Sequence, residues 1–359
     1  MILRSIRLRG FRNLIDQQVD PIQKFNVFFG DNGAGKSNLL EAIYYLGSLR
    51  SFRQATRDDL IRLNESEATI DAFTHDRPLD HRLTIQLSRS SARQMRLDEK
   101  RPKNKGLWHQ CAPMVLFAPS DIRLASGGPD SRRTYVDGIL EQIDPIYANT
   151  LAAYDKALRS RNRLLKDERA DARAIRAFDA ILSEAGSVIV QSRATMLSEL
   201  APEVMNAFEK VLDEEIPFSI EYKPRVDGGA ESIRARLEEA YAKDRARGFT
   251  ADGPHADDIL LHIKGGMAKQ HASQGQQRAI VLAMKIAELH MLTKKLQRLP
   301  ALLLDDVSSE LDQRRNRQLF SLLSALGGQV FLTTTHREYI LLDGERKDFC
   351  VKSGAVSAV

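Results

Sequence analysis

The pattern of hydrophobic and polar residues predicts a chain that changes from strands to helices and back again. Near residue 2, and again over 68–73 and 82–87, apolar residues recur at every second position, which is typical of strands with one buried face. From 145 to 212 glycine almost disappears and apolar residues recur every three or four positions, as in amphipathic helices. Strand character returns at 217–222 and 259–263. We therefore predict an α/β fold with a helical insertion.

One stretch combines a strand, a glycine-rich loop and a helix in that order. The apolar run 25–29 stops at Gly30, and GDNGAGKS then precedes a helical pattern at 38–43. Glycines let backbone N–H groups curl around a phosphate chain, and the helix N-terminus adds partial positive charge. Lys36 can reach the β and γ phosphates of a nucleotide, and the Ser37 hydroxyl can ligate Mg²⁺. The alternative is a glycine-rich turn that only packs a helix on a sheet. The candidate nucleotide-binding residues are Gly30, Asp31, Asn32, Gly33, Ala34, Gly35, Lys36, Ser37 and Asn38.

A second candidate element is a run of leucines that ends in two carboxylates, Asp305 and Asp306. Continuous apolar sequence is typical of a strand buried on both faces, and open α/β sheets bind ligands at the carboxyl ends of their strands. We expect this strand and the strand at 25–29 to be neighbours. Asp305 would then hold Mg²⁺ beside Ser37, and Asp306 would polarise the attacking water. The alternative, an Asp-rich turn that only caps a strand, is disfavoured because the phosphate loop is present.

A third element, HASQGQQR, precedes a helical pattern that runs to Lys295. Serine and glycine at the start of a helix make a second anion-binding N-terminus. One nucleotide needs only one phosphate loop. We therefore expect Ser273 to meet the nucleotide of another molecule, in a dimer whose two-fold axis places two nucleotides in the interface.

Composition indicates which partners and which cellular compartment suit this protein. The 359 residues carry a net charge of +5, which permits a polyanionic partner without requiring one. Two cysteines cannot form a disulfide framework and fit a reducing compartment. The arginine-rich start lacks an apolar signal-peptide core, and no apolar run approaches membrane-spanning length. We expect a soluble cytoplasmic protein.

Basic residues gather on two of the predicted surfaces. Three arginines, at positions 4, 7 and 9, would share the polar face of the first strand. The helical insertion carries eight basic residues with acidic residues interspersed: Lys156, Arg159, Arg161, Arg163, Lys166, Arg169, Arg173 and Arg176. Each set is either a solvated surface or a contact to nucleic-acid phosphates.

Together these motifs resemble the RecF family of bacterial recombination-mediator ATPases, which are short-armed relatives of SMC and ABC ATPase heads. The resemblance covers most of the chain in colinear order. It includes LRSIRLRGFRNL, the Walker A segment GDNGAGKSNLLEAI, SFR near Ser51, APSDIRLASGGPDSRR, DGPHADD, SQGQQR and LLLDDVSSELD. It implies an ABC-type P-loop ATPase head with an inserted helical lobe. The expected division is 1–125 (first part of the ATPase domain), 126–245 (helical lobe) and 246–359 (second part, with signature and Walker B).

The resemblance also implies roles for individual residues. Ser273, Gly275 and Gln276 would be the signature that reaches the γ-phosphate of ATP across a dimer. Asp305 would be the Walker B acid, and Asp306 stands where the family has its catalytic carboxylate. Lys36 and Ser273 would assist catalysis together with Asp306.

Other positions match less directly or depart from the family pattern. Thr335-His336 resembles the switch histidine, although the threonine-rich stretch leaves its register open. The loop that crosses the dimer interface would be Ser309, Glu310, Leu311 and Asp312. Ala256 replaces an arginine that the family usually has in GPHRDD. No glutamine ends the strand at 114–118, so the second Mg²⁺ ligand is unassigned.

The function that the resemblance implies is ATP-dependent binding of duplex DNA and of single-strand/duplex junctions. The protein would dimerise on ATP with Mg²⁺ and hydrolyse it slowly, with DNA stimulating turnover. RecR and RecO would be partners in loading RecA onto gapped DNA. Two alternatives stay open at this point. One is the ATPase subunit of a membrane transporter, and the other is a small-molecule P-loop kinase, which has no use for SQGQQR.

Overall fold

The structure is a computed structural model. It describes residues 1–76, 79–212, 214–306, 323, 327–337, 340 and 344–359. Contacts divide the chain into two compact units, Met1–Asp121 with Glu288–Val359, and Ile122–Ala287. The three-part division predicted from the sequence stays a prediction. Within the described ranges, no helix is both long and apolar enough to cross a membrane.

Runs of strands and runs of helices follow one another along the described chain. The strands are β1 (Ile2–Arg9), β2 (Gln17–Val19), β3 (Phe25–Phe29), β4 (Glu67–Asp76), β5 (Leu79–Ser88), β6 (Gln94–Leu97), β7 (Met114–Phe117), β8 (Phe218–Lys223), β9 (Asp258–Ile263), β10 (Gly266–Met267), β11 (Ala301–Asp305), β12 (Val330–Thr334), β13 (Arg346–Lys352) and β14 (Ala355–Ala358). The helices are α1 (Lys36–Ser48), α2 (Arg57–Leu60), α3 (Lys105–Cys111), α4 (Arg123–Ser126), α5 (Pro129–Ile143), α6 (Pro145–Lys166), α7 (Ala172–Leu212), α8 (Ala230–Arg247), α9 (Ala268–His271) and α10 (Gln274–Leu296). Short 3₁₀ turns cover Pro119–Ile122 and Pro254–Ala256.

An antiparallel sheet of the first unit has the order β2-β1-β4-β5-β6. The alternation read from the sequence is confirmed here, because Leu3, Ile6 and Leu8 of β1 are fully buried while Arg7 and Arg9 are exposed. The apolar face packs into one core with α1, which also buries Leu39, Leu40 and Ile43.

The second sheet of this unit has the order β14-β13-β3-β12-β11-β7. The strands β13, β3, β12, β11 and β7 run parallel, and β14 is antiparallel to β13. All five residues of β11 are buried, as its unbroken apolar sequence predicted. The expectation that β3 and β11 are neighbours is wrong. The equally buried strand β12 lies between them and pairs with both.

The second unit contains the predicted helical insertion and a small antiparallel sheet, β10-β9-β8. Pro129 occupies the first turn of α5, where its missing N–H costs no hydrogen bond. Helix α6 packs against α7 and α8, and its buried positions Tyr147, Leu151 and Tyr154 follow the helical period that predicted it.

Arg161 departs from the surface role predicted for all eight basic residues of the insertion. It is fully buried, and its guanidinium donates to Asp179 at 2.7 Å, to Asp244 at 2.8 Å and to Thr250 at 2.8 Å. It lies four residues after the buried Ala157 on the inner face of α6. A buried charge is tolerated there because carboxylates on α7 and α8 neutralise it.

Candidate nucleotide-binding site

Two glycines give the phosphate loop its shape. Gly30 follows β3 with φ 150°, and a Cβ there would lie 2.2 Å from the carbonyl oxygen of Val351. Gly35 adopts φ 116° as the N-cap of α1, so the helix begins at Lys36. An L-residue rarely adopts either conformation. The loop tip from Asp31 to Gly33 is exposed, so the backbone between strand and helix is accessible to a ligand.

The ammonium group of Lys36 interacts electrostatically with Asp305 and Asp306. It is only 7% exposed, and its Nζ donates to the carbonyl oxygens of Gly30 at 2.7 Å and Asp31 at 2.9 Å. Burial lowers the pKa of Lys36, while the carboxylates of Asp306, Asp305 and Asp31 oppose that shift. The structure therefore brings Lys36 into the electrostatic environment of Asp305, the last residue of β11, and of Asp306, which follows it.

Thr333 on β12 connects the two acids to each other. Its hydroxyl donates to Asp305 Oδ1 at 2.9 Å and accepts from the backbone N–H of Asp306 at 3.0 Å. Asp305 is buried, whereas Asp306 is half-buried in the left-handed region at φ 49°, which aspartate tolerates better than most residues. Sequence reasoning missed Thr333. The threonine run after an apolar segment was the available signal.

Asn13 is a second residue that the sequence analysis did not place at the site. Its side-chain amide donates to the carbonyl of Gly33 at 3.2 Å and its oxygen accepts from Asn38 at 2.7 Å. Asn38 in turn accepts from Arg53 at 2.8 Å. The segments FRN and SFR contributed to the resemblance, but nothing in their spacing predicted that they brace the loop.

The last two strands also support the loop. The backbone N–H of Gly354, in the turn between β13 and β14, donates to the carbonyl of Ala34 at 2.8 Å. Strand β13 pairs with β3 from Arg346 to Cys350. The phosphate loop therefore lies against chain that follows it by more than three hundred positions.

The predicted signature lies in the second unit and forms a capping box. Ser273 Oγ accepts from the N–H of Gln276 at 3.2 Å, and Gln276 Oε1 accepts from the N–H of Ser273 at 2.9 Å. This reciprocal pair starts α10 at Gln274. It explains the S-x-x-Q spacing locally, and the predicted contact of Ser273, Gly275 and Gln276 with a partner's ATP stays a prediction.

His336 lies two residues beyond the end of β12, at the same end of the parallel sheet as the loop and the acids. It is exposed, and its backbone N–H donates to Thr334 Oγ1 at 3.2 Å. Its role as a switch residue stays a prediction. The predicted interface loop at 309–312 lies outside the described residues.

Comparisons with known proteins identify the family. The family described as RecF/RecN/SMC N terminal domain matches residues 2–352. A DNA replication and repair protein RecF from Anaeromyxobacter sp. (strain Fw109-5) is 39% identical over 350 residues, covering 95% of this chain and 94% of that protein. The chain belongs to the RecF family. The corresponding protein of Myxococcus xanthus (strain DK1622) is 35% identical over 93% of this chain and 91% of its own length.

Solved structures agree with this assignment. A structure titled as the recombination mediator protein RecF-ATP in the RecFOR pathway matches with a TM-score of 0.89 and 29% identity, covering 99% of this chain and 97% of that one. An Smc head domain from Pyrococcus furiosus, at 15% identity and a TM-score of 0.56, shows the fold alone. The predicted α/β head of the RecF and SMC type is confirmed, and the chain is a member of a DNA replication and repair ATPase family.

The residues at the site fit a magnesium ion that arrives with a nucleotide. The predicted ligands, Ser37 and Asp305, offer oxygen donors, which Mg²⁺ prefers. Among the described residues no group of three or more His, Cys, Asp or Glu forms a cluster suited to a metal. Because Mg²⁺ is usually held by one or two protein oxygens together with phosphates and water, this sparse donor set suits it.

Proposed function

We propose that this chain is an ATP-dependent, DNA-binding recombination mediator that acts in the cytoplasm. It binds ATP, dimerises on duplex DNA or at single-strand/duplex junctions, and hydrolyses ATP slowly. With RecR and RecO it helps load RecA on gapped DNA. The observation that carries this proposal is that the glycine loop after β3 and the acids Asp305 and Asp306 at the end of β11 lie at the same end of one parallel sheet. The RecF-ATP structures of relatives support it.

The proposed chemistry assigns one task to each group. The N–H groups at the start of α1 and the Lys36 ammonium bind the β and γ phosphates. Ser37 and Asp305 hold Mg²⁺, which when bound neutralises phosphate charge. Asp306 orients the attacking water and accepts its proton. Thr333 fixes the position of both acids through its hydroxyl.

ATP also controls assembly in this proposal. Ser273, Gly275 and Gln276 contact the γ-phosphate of an ATP held by a second copy of the chain, in an isologous interface. ATP makes these contacts only in the dimer, so by linkage it must strengthen dimerisation. ADP lacks the γ-phosphate and should strengthen dimerisation much less.

Sedimentation velocity tests this proposal directly. The parent should sediment as a dimer with ATP and mainly as a monomer with ADP. Ser273→Arg should stay monomeric with ATP, because it places bulk and an unpaired charge at the contact, while still binding ATP through Lys36. The same substitution at Ser198, an exposed serine on α7, should dimerise like the parent. A parent that stays monomeric at saturating ATP, or a Ser273→Arg variant that dimerises normally, would contradict the proposed interface.

The transporter-ATPase alternative is separated by the choice of ligand. The relatives described above are DNA replication and repair proteins, which favours DNA as the partner. Binding of a short duplex at moderate salt should be strong and nearly independent of sequence, because phosphate contacts dominate such binding. A protein that ignores duplex DNA at low salt would favour the transporter function.

A further inference from the structure

The structure sorts the basic residues of the helical insertion into separate roles. Arg161 is buried in ion pairs with Asp179 and Asp244. Arg176 forms an exposed pair with Glu238 at 2.6 Å. Four others remain exposed on α6, and we call them the α6 stripe: Lys156, Arg159, Arg163 and Lys166.

The spacing of the α6 stripe places it on one side of the helix. Its members follow one another at intervals of three, four and three residues, so they lie on the same helical face. From Lys156 to Lys166 the stripe extends about 15 Å along the axis, at about 1.5 Å per residue. The ion pairs of Arg161 with Asp179 and Asp244 lie on the opposite, buried side of α6.

From Lys156 to Lys166, the exposed charged residues of α6 are all basic. The single carboxylate within the sequence of α6, Asp155, is half-buried, and Asp167 and Glu168 come only after the helix has ended. The sequence analysis treated the acids as interspersed with the basic residues. The acidic side chains therefore flank the α6 stripe at its two ends and do not separate its members.

We propose that the α6 stripe binds the phosphate backbone of duplex DNA. This inference rests on the proposed function and names the surface that carries it out. Charge complementarity is the first argument, because a duplex presents one negative charge per about 1.7 Å of its axis. Single-stranded nucleic acid is disfavoured, because its binding sites usually include aromatic side chains on which bases stack. The aromatic residues of α6, Tyr147 and Tyr154, are buried.

The experiment removes three charges from the stripe and compares this with the removal of three charges elsewhere in the same unit. The stripe variant is Lys156→Gln/Arg163→Gln/Lys166→Gln. The matched control is Arg234→Gln/Lys243→Gln/Arg247→Gln, whose residues are exposed on α8, a helix that also carries acids. Glutamine favours helices nearly as well as lysine and arginine do, so both variants should keep the parent's circular dichroism spectrum.

The readout is duplex affinity, with ATP present, as a function of salt. Each lost phosphate contact reduces the slope of log affinity against log salt by about 0.9, so the stripe variant should lose up to about 2.7. The control should lose less than about 1. Arg159→Lys/Arg163→Lys should keep the parent's slope, because a phosphate contact needs the charge rather than the guanidinium fork.

Three outcomes would contradict the inference about the α6 stripe, and a fourth would also contradict the proposed function. A stripe variant with the parent's slope, or one that loses binding to a single-stranded oligonucleotide but not to a duplex, overturns the inference alone. Equal losses in the stripe variant and the α8 control also overturn it, because net charge would then explain the effect. A parent that binds no duplex at low salt overturns the proposed function as well.

Discussion

Two buried cations of this molecule are held in different ways. In the second unit, Arg193 donates to both carboxylate oxygens of Asp137, at 2.8 and 2.9 Å, and to Asp257 at 3.0 Å. In the first unit, Lys36 is similarly buried but donates to main-chain carbonyls, with Asp305 and Asp306 acting on it from nearby. The first cation is paired directly with carboxylates, whereas the second contacts main-chain oxygens. We propose that phosphates replace these main-chain contacts when a nucleotide binds.

The contrast separates a charge that is fully paired within the fold from one that we propose binds a ligand. Tyr147 and Tyr222 donate to Asp137 and Asp257, so the carboxylates around Arg193 are satisfied on several sides. Such a network fixes α5, α7 and the start of β9 relative to one another within the second unit. By contrast, the tip of the loop before Lys36, from Asp31 to Gly33, is exposed, and Gly30 and Gly35 at its ends have positive φ, which suits a ligand-binding segment.

The largest effect should come from breaking the complete network. Arg193→Leu leaves two buried carboxylates without their cation, and we expect the free energy of unfolding to fall by about 3–5 kcal/mol. Urea denaturation measures it. Arg176→Leu removes an arginine whose pair with Glu238 is exposed and should cost no more than about 1 kcal/mol. Equal losses would mean that the Arg193 network does not stabilise the second unit more than a surface pair does.

Removing the charge of Lys36 should affect ligand binding and leave the fold intact. Lys36→Met should lower the kcat/KM for ATP by at least about a hundredfold, because the phosphates lose their main cationic partner. Fluorescent-nucleotide titration and turnover assays measure this, with circular dichroism as the check on folding. Lys24→Met, at an exposed lysine just before β3, serves as the control. Unchanged turnover in Lys36→Met would exclude the Walker A assignment.

Substitutions of Asp305 and Asp306 should affect different properties, ATP binding in one case and ATP turnover in the other. Asp306→Asn keeps the shape of the side chain but cannot accept a proton, so turnover should fall about a hundredfold while ATP binding is retained. Asp305→Asn should instead weaken the dependence of ATP binding on Mg²⁺. If Asp306→Asn loses binding and Asp305→Asn only slows turnover, the two roles have been exchanged.

The smallest effect concerns the residue that joins the acids. Thr333→Val keeps the volume but removes the hydroxyl that contacts Asp305 and Asp306, and turnover should fall about tenfold. Single-turnover kinetics with ATP measures it. Thr69→Val, on β4 of the same unit, should leave the rate unchanged. A rate equal to the parent's in Thr333→Val would show that the acids hold their geometry without it.

The spacing of residues within short segments predicted those elements whose formation depends mainly on neighbouring residues. The phosphate loop, the apolar strand β11 and the helices α5 to α8 follow from spacing within short windows. The sequence analysis did not identify β12. This strand has only five residues, VFLTT, with two glycines shortly before it and another threonine after it. Strand order depends on pairing between segments about three hundred residues apart, which periodicity does not encode. The same limit explains why Arg161 was grouped with the surface cations.

The strand order of the first unit also affects the order in which the parts of a growing chain can fold. The immediate neighbours of β3 in its sheet are β12 and β13. At about 5–20 residues per second, the roughly 300 residues between β3 and β12 need about 15–60 s of translation. The second unit, Ile122–Ala287, leaves the ribosome before either neighbour is made. We therefore expect a growing chain to fold its helical part first and to acquire affinity for ATP only when its final strands emerge.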